Sequence, residues 1–318
     1  MRHSHWTLLI LSLLCRPILG QTNPHAAVHD ALVLENRGSF ETAAKIAKGA
    51  IDSSQLSGTE LGRAYIILAV ACEGEGNLTD AQIAFERALR ILEHDREHLE
   101  DYAAALESFG GFYSQLGQLG VAATMWLKAF HLRQTIGEHA GTMRSLIRLA
   151  EFALSRNRTH EAYKYLQRAS DEAKLAPDLI DDDKALFFET QGWLAVAQHD
   201  APTAIAAYQH ALELVERSRG EQHWLTGWEH MLLGKAYAQS GDLNSALAAM
   251  RKGLSILDHA LGQRNPKYFA AEVAYSQVLD RIGLHAEAAQ MRATAEQASK
   301  DYYGRQCPGC TINIAGFR

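Results

Sequence analysis

Residues 232–253, LLGKAYAQSGDLNSALAAMRKG, decide how the chain is read. Two helical halves flank the turn residues Gly241 and Asp242. In the first half Gly234 and Tyr237 stand three apart. In the second, Ala246, Met250 and Gly253 follow at steps of four and three, the spacing that puts side chains on one helix face. Two antiparallel helices need this arrangement: small residues let the backbones cross closely, and the large residue between them fills the gap to the next layer.

The pattern recurs along the chain. Ala43, Ala47, Ala50 comes first, then Ala81, Phe85, Ala88; Ala122, Trp126, Ala129; Ala162, Leu166, Ala169; and Ala204, Tyr208, Ala211. After Ala246 comes Ala288, Arg292, Ala295. The leading alanines are 38, 41, 40, 42, 42 and 42 residues apart. Twelve residues before each stands another small residue: Ala31, Ala69, Gly110, Ala150, Gly192, Gly234 and Ser276. Five before it, six of the seven units carry Gly38, Gly76, Gly117, Asn157, Gly241 or Gly283, residue types that tolerate the left-handed backbone ending one helix. A steady period near 40 predicts seven stacked helix pairs, since one pair alone cannot bury its apolar face. The turns within pairs are expected near 38, 76, 117, 157, 200, 241 and 283. Connections between pairs are expected near 54–59, 94–98, 136–140, 176–182, 219–223 and 261–266, with Pro177 and Pro266 in or beside them and Pro202 beside the turn near 200.

These residues resemble the tetratricopeptide repeat family. Leu233-Gly234, Tyr237, Gly241 and Ala246 fit its pattern, as do Leu68-Ala69, Gly76, Ala81, Phe85 and Ala88. The period of 40–42 is similar to that of the kinesin-light-chain-like subgroup. The resemblance covers about residues 24–302 and implies an all-α, right-handed α-solenoid of about seven antiparallel pairs. Arg292 departs from the pattern where an aromatic is expected, and the closing Pro of each repeat is missing. The last repeat is therefore expected to be a polar end facing water, and each pair to touch only its neighbours.

The flanks read differently. Arg2 followed by the apolar run Thr7–Leu14, Pro17 and the small Gly20 fits a secretory signal peptide over residues 1–20, with Gln21 as the mature start; an uncleaved anchor is the alternative. The solenoid would span 21–302 and a tail 303–318. Export, to a periplasm or out of the cell, is the expectation, with no integral span in the mature chain. Cleavage removes Arg2 and Arg16 and no acid, moving the net charge from −6 to −8. With no basic cluster, nucleic acid is excluded as a partner class.

The resemblance implies a ligand on the concave face, lined by the first helix of each pair. Register places Arg63, Ile66, Glu73, Glu107, Gln115, Arg144, Glu151, Glu189, Trp193, Trp228, Met231, Lys235, Gln277 and Asp280 there. Trp193 and Trp228 are either interface anchors or fillers between pairs. The Lys/Asn/Arg carboxylate clamp of related co-chaperones is not found, and the mixed charges suit a protein or peptide segment of mixed polar and apolar character.

Three motifs carry chemistry on paper. His94-Asp95-Arg96-Glu97-His98 spells a zinc-peptidase string, but it falls in a connection rather than mid-helix beside a cleft. Cys307 and Cys310 form C-x-x-C after the last helix, with no βαβ unit before it and no second ligand pair. A local disulfide is expected, and a redox or metal-dependent envelope accessory role is the alternative function. Asn77-Leu78-Thr79 and Asn157-Arg158-Thr159 match the glycosylation acceptor pattern. The repeats leave no room for a catalytic domain, so the reading is a non-enzymatic binding scaffold with no cofactor and no metal.

Overall fold

The computed structural model describes residues 23–306. Among them are fourteen α-helices and no strand. The first pair is α1 (Pro24–Asn36) and α2 (Phe40–Asp52), followed by α3 (Gly58–Glu75) with α4 (Leu78–Leu92). Then come α5 (Leu99–Gln115) with α6 (Leu119–Ile136), α7 (His139–Ser155) with α8 (Thr159–Leu175), and α9 (Asp181–Ala197) with α10 (Ala201–Arg219). The sixth pair is α11 (Trp224–Ser240) and α12 (Leu243–Leu261), and the seventh α13 (Pro266–Arg281) and α14 (His285–Gln306). The architecture is the expected α-solenoid. α14 continues to Gln306, past the expected boundary at 302.

Local chemistry sets these ends. Side chains of Asn77, Asp200 and Asp242 accept from backbone N–H groups two or three residues into α4, α10 and α12, satisfying donors the helix leaves open. Pro266 opens α13 directly after the N-cap Asn265. The six expected turn residues all take positive φ, from 56° at Asn157 to 90° at Gly241. In the fifth pair no Gly or Asn stands at that place, and His199 adopts φ 61° instead.

Small residues do bring the paired helices together. A Cβ added at Gly192 would sit 2.7 Å from the ring of Tyr208, so the α9–α10 crossing depends on its absence. Over Gly110, Trp126 lies close enough to donate its indole N–H to the Glu107 carbonyl at 3.1 Å. The core is a chain of clusters that span neighbouring pairs, the largest around Trp126, Phe130, Leu146, Leu149 and Leu166. Phe85, Phe109 and Phe112 form another, with Phe85 and Phe109 stacked at 5.0 Å.

Contacts are not confined to neighbouring pairs. The carbonyl of Asn36, at the end of α1, accepts from His223 Nε2 at 2.9 Å, and its side-chain oxygen accepts from Arg219 at 3.0 Å. His223 Nδ1 in turn accepts from the Leu225 N–H at 3.2 Å, which fixes the proton on Nε2. The indole of Trp224 covers Gly38. At the other end of the array, α14 is mostly exposed, as a polar end would be, but its last residues pack back on the start of the array. Tyr302 packs against Gly76 and stands edge-on to Phe269, and Tyr303 joins the core cluster of the first three pairs. The superhelix therefore closes on itself, joining the first and second pairs to the sixth and seventh. Arg292, standing where an aromatic was expected, bonds to Asp280 and lies 3.4 Å from the hydroxyl of Ser276.

The zinc-peptidase string falls in the α4–α5 connection, where Asp95 accepts from Thr59 and pairs with His98. Cys72 is a buried core residue whose thiol burial pushes up to about 11. Asn77 and Asn157 lie in turns within pairs. No helix among the described residues is long and apolar enough to cross a membrane. Residues 1–20 and the Cys307–Cys310 motif lie outside the described residues.

Gly76 serves both its own left-handed backbone and the closing contact with Tyr302. Gly76→Ala is expected to lower stability by about 1–3 kcal/mol for backbone strain, plus a clash with Tyr302. In a urea-unfolding double-mutant cycle, Tyr302→Ala should remove the clash, so the double variant loses less than the two single losses together. Additive losses would mean the two residues do not touch.

Candidate functional site

The first helices of the pairs line the inside of the closed superhelix, and polar bonds run from each to the next at about the repeat period. Arg63 on α3 makes a two-pronged bond to Asp101 on α5, at 2.6 and 2.8 Å. Gln115 on α5 donates back to Glu73 on α3. Arg144 on α7 reaches Asp183 on α9 at 2.9 Å, and Thr190 on α9 donates to Glu151 on α7 at 3.3 Å. Glu107 accepts from the buried Arg133 of α6, which also donates to the Gly141 carbonyl at 2.9 Å and to Ser145 at 3.0 Å. Burial alone would raise the Glu107 pKa, but Arg133, Arg148 and Arg144 together hold it below the ordinary value. Several residues that register placed on the concave face, Arg63, Glu107, Arg144 and Glu151 among them, thus spend their charge on tying one repeat to the next.

Glu189 and Glu229 form a close carboxyl pair between α9 and α11. Burial pushes both pKa values up; the Glu151 charge pushes Glu189 further, and the Glu189 charge together with a hydrogen bond to it pushes Glu229 further. Trp228 donates a hydrogen bond to Glu189, and Glu229 Oε2 is buried with no hydrogen-bond partner. Trp193 is half-buried and packs on the cluster of α7 and α8. Lys235 is enclosed enough that burial lowers its pKa, and Gln277 is half-buried on α13. Met231 is a correction: at 1% exposure it lies in the core of the sixth and seventh pairs, against Gly253, and does not reach the inner face. The backbones of α11 and α12 approach so closely at Gly227 and Gly253 that the side chain is enclosed between them.

Where the superhelix closes, a cavity of about 400 Å³ remains, a ligand-sized space. Phe40 and Trp224 give it aromatic walls, and Glu73, Arg148, Arg219 and Lys267 give it charge. Burial pushes the Glu73 carboxyl up to about 7, against the pull of Lys267 and of the bond from Gln115. Of the cavity's lining, register identified Glu73 and Gln115. Arg148 was within reach of the same reasoning, one turn from Arg144 and three residues from Glu151. Phe40, Trp224 and Lys267 carried no such signal, because their place depends on the closure.

The carboxyl pair generates a pH prediction. Glu189 and Glu229 have folded pKa values above the unfolded one, so the folded chain keeps protons that the unfolded chain releases. Their contribution is fully present below the unfolded value near pH 4.5 and is lost as pH rises through the folded values. Burial lowers the pKa of His223 and His230, which gives the opposite slope. The test is therefore the difference between wild type and Glu229→Gln in urea unfolding at each pH. The variant should gain stability relative to wild type from about pH 5 to 7.5, by at most about 1.4 kcal/mol per pH unit for each proton involved. A pH-independent difference would mean the pair is ionised like exposed carboxylates.

Comparison with known proteins agrees with this geometry. Residues 192–259, which span the end of α9 to α12, match the profile of the tetratricopeptide repeat family. No curated protein matches the sequence. The fold is similar to that of a Rap protein complexed with competence and sporulation factor: TM-score 0.64, 10% identity, 89% of this chain and 78% of that one. It is equally similar to NprR in complex with its cognate peptide NprX: TM-score 0.64, 10% identity, 91% of this chain and 83% of that one. The apo form of RapI follows at 0.62, with 10% identity over 88% of this chain and 99% of that one. Residues 192–259 thus match tetratricopeptide repeats, and helix pairs of the same kind recur throughout the described residues.

Proposed function

We propose that the chain is an exported scaffold that binds a peptide, or a peptide-like segment of a partner protein, inside its closed superhelix. The observation that carries this reading is the half-open cavity of about 400 Å³, with aromatic walls and charges of both signs, on an inner face otherwise occupied by repeat-to-repeat bonds. Mixed walls of this kind suit an extended segment with one polar and one apolar contact per turn of chain. Two proteins of similar fold, Rap and NprR, are described in complex with a factor and with a cognate peptide, which supports the reading by analogy of fold. Export rests on the pattern of residues 1–20.

Two measurements test it. The first is capture from an extract of the chain's own host on immobilised residues 21–318, read by mass spectrometry, with Arg148→Gln as a parallel bait. A peptide or protein held by the native bait and reduced about tenfold or more by the variant is expected, the size of one lost charge-assisted hydrogen bond. A partner held equally by both would move the site off the inner face. The second is N-terminal sequencing of the protein recovered from its host. Gln21 as first residue, in an exported fraction, is expected; an intact Met1 in the cytoplasm would remove the export half of the proposal.

A further inference from the structure

His223 fastens the first pair to the sixth, and its two ring nitrogens are committed in opposite senses. Nε2 donates to the Asn36 carbonyl at the end of α1, at 2.9 Å. Nδ1 accepts from the Leu225 N–H at 3.2 Å and so caps the start of α11. Only the neutral ring with its proton on Nε2 can do both. A second proton would sit on Nδ1, facing the Leu225 donor. The ring must then turn away or the first turn of α11 must shift, and either movement disturbs the bond to Asn36. Trp224, the next residue, covers Gly38 and would move with it.

The charges around the ring discourage that second proton. Arg219 of α10 shares the Asn36 oxygens with His223, donating to the carbonyl at 3.3 Å and to the side-chain oxygen at 3.0 Å. Lys267 of α13 stands 4.8 Å from the Trp224 ring centroid, and Arg148 of α7 lies on the same cavity wall. Asp182 of α9 is the acid that favours a charged ring, but its carboxylate is held by Arg219 and, at 2.6 Å, by Ser218. Glu35 of α1 and Glu73 of α3 also line the cavity, and burial disfavours the charged form of each. Glu73 is pushed up to about 7, so in mildly acid solution the cavity keeps its cations and loses an anion. Burial, with Arg219 adding to it, holds the His223 pKa below its ordinary 6.5. The contribution of the neutral ring to closure is therefore fully present above pH 6.5 and is lost as pH falls from there towards the folded value.

We propose that His223 is a proton-operated latch: neutral, it holds the first pair against α11 and closes the cavity, and protonated, it lets that pair swing away. The release is local. The second fastening, Tyr302 on Gly76 and Tyr303 on the core cluster, involves phenols that burial pushes still further above this pH range. Glu35, Asn36 and Phe40 of the cavity wall belong to the first pair, so acid opens the cavity whatever it holds.

The test is hydrogen exchange of residues 21–318, read by mass spectrometry from about pH 7.5 to about 4.5 and corrected for the intrinsic rate at each pH. Peptides covering 27–40 and 219–227 are expected to lose protection below pH 6.5, by at most about tenfold per pH unit for a single proton, while those from α7 and α8 keep theirs. His223→Gln, whose amide can donate to Asn36 but takes no proton, should keep both peptides protected across the range. Seam protection that does not change in acid overturns the latch. So does an acid loss that His223→Gln retains, or a loss spread evenly over all the pairs. If the variant is already open at the highest pH, an NMR titration of the His223 ring in the native chain decides. Seam exchange that levels off at the ring's own midpoint upholds the latch, and exchange that runs on past it overturns it.

Discussion

Everything in this molecule depends on how closely two helices of a pair can approach. Ala, Gly or Ser at the crossings lets the backbones meet, and the large residues at the intervening positions then have only the next pair to pack against. Gly192 under Tyr208 and Gly110 under Trp126 show the exchange directly: an absent side chain on one helix is the seat of an aromatic on the other. Stacking follows from the unburied face this leaves, and curvature follows from repeating one slightly rotated step.

Curvature brings the ends together, and closure changes the electrostatics of the interior. Along an open array the inner face would be washed by water and its charges screened. Here Glu73, Glu189, Glu229, Lys235 and Lys267 are enclosed enough for burial to be the leading influence on each pKa. The chain offsets this by pairing across repeats. Arg144 with Asp183, Arg63 with Asp101 and the Arg133 group around Glu107 set the register between successive pairs as well as neutralising charge.

The repeat period carried most of the fold. Leading alanines at fixed spacing located every pair, and Gly or Asn five residues earlier located six turns of seven. At the remaining turn, His199 takes a conformation its residue type does not advertise. The closure was not legible, because Asn36 with Arg219 and Gly76 with Tyr302 are single contacts between distant residues with no periodic echo. The site suffered accordingly. Register found the stripe that includes Glu73, Glu107, Glu189 and Trp228, but it could not tell a charge used for repeat stacking from one left for a ligand. It also carried Met231 onto the stripe, since three residues past Trp228 shares a face in an ideal helix while the deep α11–α12 crossing encloses it. Lys267 and Trp224 owe their meeting with Phe40 to the closure alone.

A solenoid with free ends behaves as a spring, and its softest motions are the long ones, in which pitch and radius change together. Joining the first two pairs to the last two removes those modes. The deformations that remain must conserve the circumference, so a widening on one side of the ring is matched by a tightening on another. A change of spacing at the seam is therefore shared around the whole circumference, and pairs on the far side move with it although they take no part in the joining contacts.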